Sequence, residues 1–472
     1  MMTPRSAPPG SPDAGLRPAA SGPLAGLKVI ELGQLIAGPF AARTLADFGA
    51  EVIKIEPAGS GDPLRQWRLL KDGTSLWWQV QSRNKRSVAL DLRQFEAQEI
   101  VRKLALEADV LIENFRPGAM EAWGLGPDAL RALNPRLIML RISGYGQSGP
   151  YRDRPGFGVV AEAMSGLRHL TGEPGRVPVR VGVSIGDTLA ALHGVIGILM
   201  ALHHRNRSGM GQVIDVALYE AVFNCMESLL PEYSAFGAVR GPAGSALPGI
   251  APSNAYRCKD EGVSAASAGP PQARPALSGG SEPREAGSVG ATNEAPGRPK
   301  RSSAPLGGSE PHAVGSVGAY VLIAGNGDSI FKRLMQCIGR PDLAQDPGLA
   351  SNIGRVARVD ELDAAIGQWT QGLTVAQVLA ELERADVPAG KIYTVADIAA
   401  DPHYAARGML QALTMADGSM LAVPGFVPKL SLTPGSHQHN APELGQDTDA
   451  VLREVGLSDA QISALRQRGV VA

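Results

Sequence analysis

Cysteine is scarce in this 472-residue chain, which contains only Cys225, Cys258 and Cys337 and no CxxC pair. Three widely separated thiols exclude a disulfide framework and a cysteine-based zinc site, and they indicate a reducing compartment, the cytoplasm. Neither sign of charge is in excess, because 45 Lys and Arg oppose 46 Asp and Glu. Without a basic surplus to neutralise phosphates, nucleic-acid binding is not expected.

Long hydrophobic runs are also missing. The longest apolar stretch, residues 189–202, covers about 14 residues and is interrupted by His193, so we expect no segment that crosses a bilayer. The N-terminal residues are rich in Pro, Ala, Gly and Ser and lack the apolar core of a secretory signal. We therefore interpret residues 1–23 as a disordered leader.

A metal site is not expected either. His203 and His204 are adjacent, and His437 and His439 are separated by one residue. Neither pair has a nearby third ligand from Cys, His or a carboxylate cluster, and surface histidines are the simpler interpretation.

Short β-branched runs alternate with helical segments between residues 24 and 145. This alternation predicts an α/β fold with a Rossmann-like parallel sheet and helices on both of its faces. The predicted strands are residues 28–32, 51–56, 87–90, 109–112 and 137–142. The predicted helices are residues 39–48, 95–108 and 127–133.

The composition changes sharply after Lys259. Residues 261–318 contain 11 Gly, 8 Pro and no aromatic residue. Such a segment cannot bury enough apolar surface to offset its ordering entropy, so we predict a disordered insertion. Folded sequence resumes with a predicted strand at 319–323, and the later predicted helices are residues 330–338, 359–369 and 375–385.

Residues 144–149, GYGQSG, match the GxGxxG dinucleotide fingerprint and follow a predicted strand. A true fingerprint opens a helix, whereas Pro150 and Pro155 follow here with charged residues between them, which predicts a loop. A chance match is therefore favoured over a nicotinamide site.

Asp187 is the most informative residue, because it stands before a strongly apolar helix predicted at residues 188–205. One interpretation is an N-cap that accepts backbone N–H bonds at the positive end of the helix. The other is a carboxylate nucleophile, and the two roles are compatible. In either case we expect a lowered pKa that keeps Asp187 ionised.

Eight segments together resemble the class III coenzyme A transferases, which include formyl-CoA and carnitine CoA-transferases and share their fold with α-methylacyl-CoA racemase. They occur in the order of that family and cover most of the chain outside the leader and the insertion. The segments are LKVIELGQLIAGPFAARTLADFGAEVIKIEP (27–57), NKRSVALDL (84–92), ADVLIENFRPG (108–118), GYGQSGPYRDRPGF (144–157), PVRVGVSIGDTLAALHGVIGILMAL (178–202), SGMGQVIDVALYEA (208–221), VPAGKIYTVADIAADPH (387–403) and LGQDTDAVLREVGL (444–457).

The resemblance implies an enzyme that moves CoA from an acyl-CoA to a carboxylic acid, with Asp187 passing through an aspartyl anhydride and an aspartyl-CoA thioester. It implies an interlaced homodimer and no cofactor beyond coenzyme A as a substrate. It also implies a large CoA-binding domain (24–225), a linker helix region (226–249), a smaller α/β domain (250–405, interrupted by 261–318) and a C-terminal segment (406–472) that returns to the large domain.

CoA contacts carried over by motif position are Ile36, Ala37, Leu90, Arg93, Asn114, Phe115, Arg116 and Phe157. The sequence departs from the family at Pro57 and Ala122, where some members have arginines near the nucleotide, and at Gly158, where an acidic residue is usual. The glycine-rich lid of formyl-CoA transferase has no clear counterpart.

Two other functions remain open for a chain of this kind. The racemases of the same fold carry a histidine that aligns with Phe157, and phenylalanine cannot move a proton, which disfavours racemisation. A catalytically inactive CoA-binding relative is the second alternative.

The resemblance also bears on the substrates. The members that look most similar use succinyl-CoA as donor and small dicarboxylates as acceptors. Trp67 matches an aromatic position near the acyl site, and Arg180, just before Asp187, is the residue that we expect to face a second carboxylate.

Overall fold

The structure, a computed structural model, describes residues 22–260 and 318–472. The predicted leader (except Gly22 and Pro23) and the predicted insertion (except Gly318) lie outside the described residues. The chain divides into two compact units. The first comprises the residues up to Gly244 together with Val395–Ala472, and the second comprises Ser245–Thr394. The sequence analysis placed the smaller domain at 250–405, so its two ends differ from this division.

The strands of the described residues lie in four sheets. They are β1 (Lys28–Glu31), β2 (Glu51–Glu56), β3 (Leu70–Lys71), β4 (Thr74–Ser75), β5 (Lys85–Ala89), β6 (Val110–Glu113), β7 (Ile138–Ser143), β8 (Val213–Ala217), β9 (Ser253–Arg257), β10 (Tyr320–Ala324), β11 (Ala389–Lys391), β12 (Leu410–Thr414) and β13 (Met420–Pro424).

The α-helices of the same residues are α1 (Ala37–Asp47), α2 (Leu76–Gln81), α3 (Phe95–Glu107), α4 (Ala119–Ala122), α5 (Pro127–Leu133), α6 (Gly158–Met164), α7 (Leu167–Leu170), α8 (Ile185–Ser208), α9 (Leu218–Phe223), α10 (Leu229–Phe236), α11 (Asp328–Cys337), α12 (Pro341–Gln345), α13 (Asn352–Ala357), α14 (Val359–Gln371), α15 (Val375–Arg384), α16 (Val395–Ala400), α17 (Pro402–Ala406), α18 (Thr448–Glu454) and α19 (Asp459–Gln467). Two short 3-10 helices cover Pro63–Gln66 and Pro347–Leu349.

The first unit is built on a six-stranded sheet with the order β5-β2-β1-β6-β7-β8. Every neighbouring pair in this sheet is parallel, which confirms the predicted α/β fold. The five strands predicted from the sequence are all present. The edge strand β8 was not predicted, because its sequence VIDVA carries a central aspartate that breaks the apolar run.

Helices cover both faces of this sheet, and the side chains of its strands alternate between them. Ile30 and Leu111 pack on one face with α3, α5, α18 and α19. Val29, Val110 and Ile112 point to the other face, against α1 and α8. The C-terminal helices thus belong to the core of the first unit, because a buried parallel sheet needs a cover on each side.

The second unit has a smaller core of its own. Its antiparallel sheet has the order β11-β10-β9, and α11, α14 and α15 bury their apolar faces against it. The helices predicted at 330–338, 359–369 and 375–385 correspond to α11, α14 and α15.

The apolar stretch at 189–202 is part of the 24-residue helix α8, which extends three residues beyond each end of the helix predicted at 188–205. By length and composition alone, α8 is the one helix among the described residues that could cross a membrane. Its small residues Ala190, Ala191 and Ala201 are fully buried and pack in the core with α1 and the sheet. The opposite face of α8 exposes Leu192, Ile196, Leu199 and Met200.

Candidate active site

The site lies at the carboxyl ends of β1 and β6, which are neighbours in the sheet. β2 lies on one side of β1 in the sheet and β6 lies on the other, so the strand order reverses between β1 and β6. Ligands of open α/β sheets bind at such a switch point. A cavity of about 260 Å³ opens there. It brings together seven residues predicted from the sequence, namely Ile36, Ala37, Asn114, Phe115, Arg116, Phe157 and Asp187.

A second cavity, of about 270 Å³, holds two further predicted residues, Leu90 and Arg93. Gln34 and Phe115 line both cavities, so the two form neighbouring parts of one groove. Pro57, which stands in place of a family arginine, lines the second cavity. The Arg93 guanidinium is largely exposed and donates to Asp91 at 2.8 Å.

The loop after β1 is held by side chains from three other elements. Asn114 clamps Gln34 on both sides: its Oδ1 accepts from Gln34 N at 2.8 Å, and its Nδ2 donates to Gln34 O at 2.8 Å. Gln81 on α2 donates to Ile36 O at 2.9 Å. The polar atoms of the Asn114 side chain hold this loop, and its predicted contact with CoA stays a prediction.

Leu35 in this loop has a φ of 65°, a conformation that non-glycine residues rarely adopt. Its backbone N–H donates to both oxygens of Asp62, at 3.1 and 3.2 Å. Asp62 is buried and pairs with Lys54 at 2.9 Å, and Lys54 also pairs with Glu31 at 2.8 Å. Although burial opposes ionisation of Asp62, the Lys54 ammonium keeps its pKa below the usual value.

Phe115 is fixed by a second buried ion pair. Its backbone N–H donates to Glu113 at 2.8 Å, and Glu113 accepts from Arg141 at 2.8 Å. The Phe115 ring meets Trp123 edge to face at a centroid distance of 5.2 Å. The aromatic wall between the two cavities is therefore tied to strands β6 and β7.

Asp187 occupies the first turn of α8. The helix begins at Ile185 with Ser184 as its N-cap, so the N-cap interpretation of Asp187 was wrong. The sequence placed the helix start after Asp187, whereas Ser184 already accepts from Thr188 N at 3.1 Å, which closes the first helical turn three residues earlier. Asp187 lines the cavity of about 260 Å³ and is positioned by the helix backbone.

The predicted lowering of the Asp187 pKa was also wrong. Burial, together with the negative charge of Glu162, raises the pKa of Asp187 from 3.8 to about 6, although Arg180 opposes the change. The helix-terminus argument missed this because the buried Glu162 comes from another helix. A pKa of about 6 still leaves roughly nine-tenths of the groups ionised at neutral pH, as a nucleophile requires.

Gly158 makes the position of Asp187 possible. A Cβ atom at residue 158 would lie 2.2 Å from Asp187 Oδ2, closer than atoms can approach. The Asp187 carboxylate thus lies against the backbone at the start of α6. The glycine that departs from the family pattern has a direct steric role here.

Trp67 and Arg180, the two residues expected near the substrate acids, lie outside the lining of both cavities. Trp67 packs near Trp77, at a centroid distance of 6.3 Å, and lies outside the lining of both cavities. Arg180 is also absent from that lining and faces Glu162, with a nitrogen–oxygen distance of 3.7 Å. Arg180 also lies near enough to Asp187 to favour its ionised form. Its contact with a second carboxylate stays a prediction.

The cavity has charged residues that the sequence analysis did not single out. Arg152 and Arg154 belong to the loop at 144–157, which is a loop as predicted, and they line the cavity with Arg116. Arg154 stacks over the Tyr151 ring at 3.7 Å. A useful signal was their place in the segment GYGQSGPYRDRPGF, which carries two arginines and lines the same cavity as Asp187.

Acidic and histidine side chains are sparse in the cavity of about 260 Å³. Asp187 is the only carboxylate or imidazole among the described residues that line it. Within residues 22–260 and 318–472, no group of three or more His, Cys, Asp or Glu is placed to hold a metal.

Comparison with known proteins agrees with this geometry. The sequence model of CoA-transferase family III matches residues 24–294 and 281–448, and the chain belongs to that family. It is an enzyme of the CoA-transferase type.

Several relatives extend over almost the whole chain. The succinyl-CoA–D-citramalate CoA-transferase of Chloroflexus aurantiacus is 41% identical over 451 residues, which cover 95% of this chain and 98% of the relative. The succinate–glutarate CoA-transferase of Agrobacterium fabrum is 32% identical over 442 residues, covering 92% and 96%. A CaiB/BaiF family protein from Brucella suis has a similar crystal structure, with a TM-score of 0.71, 32% identity and coverage of 92% and 100%.

Proposed function

We propose that this chain transfers CoA from succinyl-CoA to a small dicarboxylate through covalent intermediates on Asp187. The observation that carries this proposal is the position of Asp187, an ionisable carboxylate in the cavity formed by the segments that resemble CoA-transferases. The proposed reaction uses coenzyme A only as a substrate and needs no other cofactor.

The first half of the reaction loads CoA onto the enzyme. An Asp187 oxygen attacks the thioester carbonyl, a C–O bond forms, the C–S bond breaks, and the CoA thiolate leaves a mixed anhydride behind. The thiolate then attacks Cγ of Asp187, which forms an aspartyl thioester and releases the donor acid as a carboxylate. No proton transfer is needed, because every nucleophile and leaving group is an anion.

The second half repeats these steps with the acceptor. Its carboxylate attacks the aspartyl thioester, giving a new anhydride and a free CoA thiolate. The thiolate attacks the acceptor carbonyl, which yields the new acyl-CoA and regenerates the Asp187 carboxylate. Because each step exchanges similar groups, much of the rate enhancement must come from holding the reactants in place.

The fixed loop after β1 supplies that placement. Gln34, Leu35 and Ile36 are held by Asn114, Asp62 and Gln81 before any ligand arrives. A preorganised wall lowers the entropic cost of orienting a long, flexible substrate.

The charges of the cavity support an anionic acceptor. Arg116, Arg152 and Arg154 line it against a single carboxylate, Asp187. Guanidinium groups bind carboxylates and phosphates in bidentate fashion. Relatives named for citramalate and glutarate transfer support an acceptor with two carboxylates, and Arg152 and Arg154 replace Arg180 as its proposed partners.

Racemisation is disfavoured by the same lining. Moving an α-proton between two faces requires a base and an acid at the reacting centre. Phe157 is exposed at the cavity and cannot supply either, and no histidine lies among the described residues of the lining. An inactive CoA-binding role is disfavoured by the ionisable Asp187.

We also propose a cytoplasmic homodimer. One face of α8 exposes Leu192, Ile196, Leu199 and Met200, which recur at helical spacing and would bury apolar surface against a second copy. Light scattering after size-exclusion chromatography tests this, and a monomer at micromolar concentration would contradict it.

Trapping the intermediate tests the covalent mechanism. We expect incubation with succinyl-CoA, followed by hydroxylamine or borohydride, to leave a modification on the peptide that contains Asp187. Asp187→Asn should abolish both the modification and turnover while CoA binding persists. Asp128→Asn is the matched control, since Asp128 also lies in the first turn of a helix. An unmodified Asp187 with an active enzyme would refute the mechanism.

A further inference from the structure

Glu162 is a buried carboxylate for which the reaction so far has no use. It lies on α6, and its side chain has no exposed surface. Its Oε2 accepts from Arg168 Nε at 3.1 Å. Its Oε1 has no hydrogen-bond partner among the described residues and lies 3.7 Å from Arg180. A buried polar atom without a hydrogen bond is costly, and its retention calls for an explanation.

Two glycines bring Glu162 next to the nucleophile. A Cβ at Gly186, the residue before Asp187, would lie 3.3 Å from Gly158 O and 3.6 Å from Glu162 Cγ. The close packing of α6 on α8 therefore places the Glu162 carboxylate beside the first turn of α8. Gly158 leaves the space that the Asp187 carboxylate occupies.

We propose that Glu162 is a positioning residue that favours acylation of Asp187 by repelling its free carboxylate. This inference rests on the proposed covalent function. Two like charges in a partly dry site raise the free energy of the ionised Asp187. Conversion to the anhydride or thioester removes the charge on Asp187 and therefore the repulsion, while Glu162 keeps its own.

Arg180 and Arg168 stabilise the two neighbouring carboxylates, Glu162 and Asp187. Arg168 holds Glu162 through its hydrogen bond, and Arg180 interacts favourably with both carboxylates. When Asp187 is acylated, Arg168 and Arg180 both retain Glu162 as a partner, so the remaining carboxylate is still paired with cations. Protonation and acylation both neutralise Asp187, and Glu162 should favour them equally.

The other charged groups near Asp187 define what the test must control for. Arg116, Arg152 and Arg154 lie across the cavity. On α9, which packs against α6 and α8, Glu220 accepts from the Tyr219 hydroxyl at 3.0 Å. None of these groups is altered in the variants below.

The central test compares Glu162→Gln with the wild type. We expect the acid limb of the kcat/KM profile to move to lower pH by about half a unit, because a like charge is removed. At a fixed ratio of succinyl-CoA to succinate, the fraction of Asp187 that carries the CoA thioester should fall by about threefold. This change corresponds to the same free energy as the half-unit shift in pH. Glu173→Gln, at an exposed residue outside both cavities, is the control and should change neither quantity.

Arg180→Gln should shift the acid limb of the kcat/KM profile in the opposite direction. Removal of this cation should move the acid limb to higher pH, since Arg180 favours the ionised Asp187. Because the Arg180 side chain is about half exposed, this variant should fold even if Glu162→Gln does not. An acid limb that stays fixed in the folded variants, with or without a loss of kcat, overturns the proposal.

Failure of the proposed function gives a different result. If the wild type forms no adduct on Asp187, the covalent mechanism fails by itself. The electrostatic coupling is then read from the carboxyl ¹³C titration of Asp187, assigned with Asp187→Asn. An Asp187 titration that is the same in wild type and Glu162→Gln refutes the coupling.

Discussion

Asn114 and Gln34 form a two-sided clamp, in which the amide of Asn114 pairs with both the N–H and the C=O of Gln34 at 2.8 Å. The clamp joins the loops that follow β6 and β1 at the centre of the site. We expect Asn114→Ala to raise KM for acyl-CoA by roughly tenfold, because about 1–2 kcal/mol of hydrogen bonding is lost.

The control for this variant is Asn134→Ala. Asn134 also donates to backbone carbonyls, those of Ala105 and Ala108 at 2.9 Å, but it does not line either cavity. It should lower thermal stability and leave KM unchanged. Equal effects of the two variants on KM would show that the clamp has no special role in binding.

Gly158→Ala tests whether the close approach at Asp187 matters. The added Cβ would overlap Asp187 Oδ2, so the carboxylate must move. A displacement of about 1 Å at a reacting group lowers kcat by up to about 100-fold. Gly182→Ala, where nothing lies within 4 Å of the added Cβ, should retain wild-type kcat. Wild-type turnover by Gly158→Ala would show that Asp187 adapts freely.

Asp187→Asn should also change how stability depends on pH. Since folding raises the pKa of Asp187 from 3.8 to about 6, the folded state binds a proton more tightly, and the wild type loses stability as pH rises through this window. The variant lacks this loss. We expect its melting temperature to exceed that of the wild type above about pH 6.5, and to match it near about pH 4.

Thermal melts across this range measure the difference directly. A variant that is less stable than the wild type at neutral pH would contradict the raised pKa. It would instead indicate that the Asp187 carboxylate stabilises the first turn of α8.

Residues 261–317 should be replaceable by a short turn. The strands on either side, β9 and β10, are antiparallel neighbours, and Cys258 N donates to Ala319 O at 2.7 Å. An Asn-Gly linker between Asp260 and Gly318 suits such a hairpin. We expect the shortened chain to keep its melting temperature and specific activity. Insoluble or inactive protein would show that the segment contributes to folding or catalysis.

The sequence identified the large-scale organisation because the signals for it are local. The strands of the main sheet are short apolar runs, and α5 begins at Pro127 and ends at Leu133 as predicted. Asp187 could likewise be chosen as the candidate nucleophile from its own segment, residues 178–202. Among the strands of the main sheet, only β8, with an aspartate in its middle, was not predicted.

The electrostatics of the site could not be predicted in the same way. The pKa of Asp187 depends on Glu162, which lies on another helix and reaches α8 only through the packing of Gly158 and Gly186. The position of Arg180 is also set by Glu162. Contacts between residues on different elements leave no periodic pattern in a single sequence. The pKa of Asp187 could therefore be argued only from its expected position at a helix start.

The buried Lys54 has a further implication for how this enzyme can diversify. Lys54 and Asp62 tie the loop after β1 to the interior of the sheet, so a change there alters the core as well as the ligand wall. Arg152 and Arg154 lie on an exposed loop, so substitutions there do not alter the core. Under the proposed function, substitutions at 144–157 would change the preference for the acceptor acid without disturbing the loop that Lys54 and Asp62 hold.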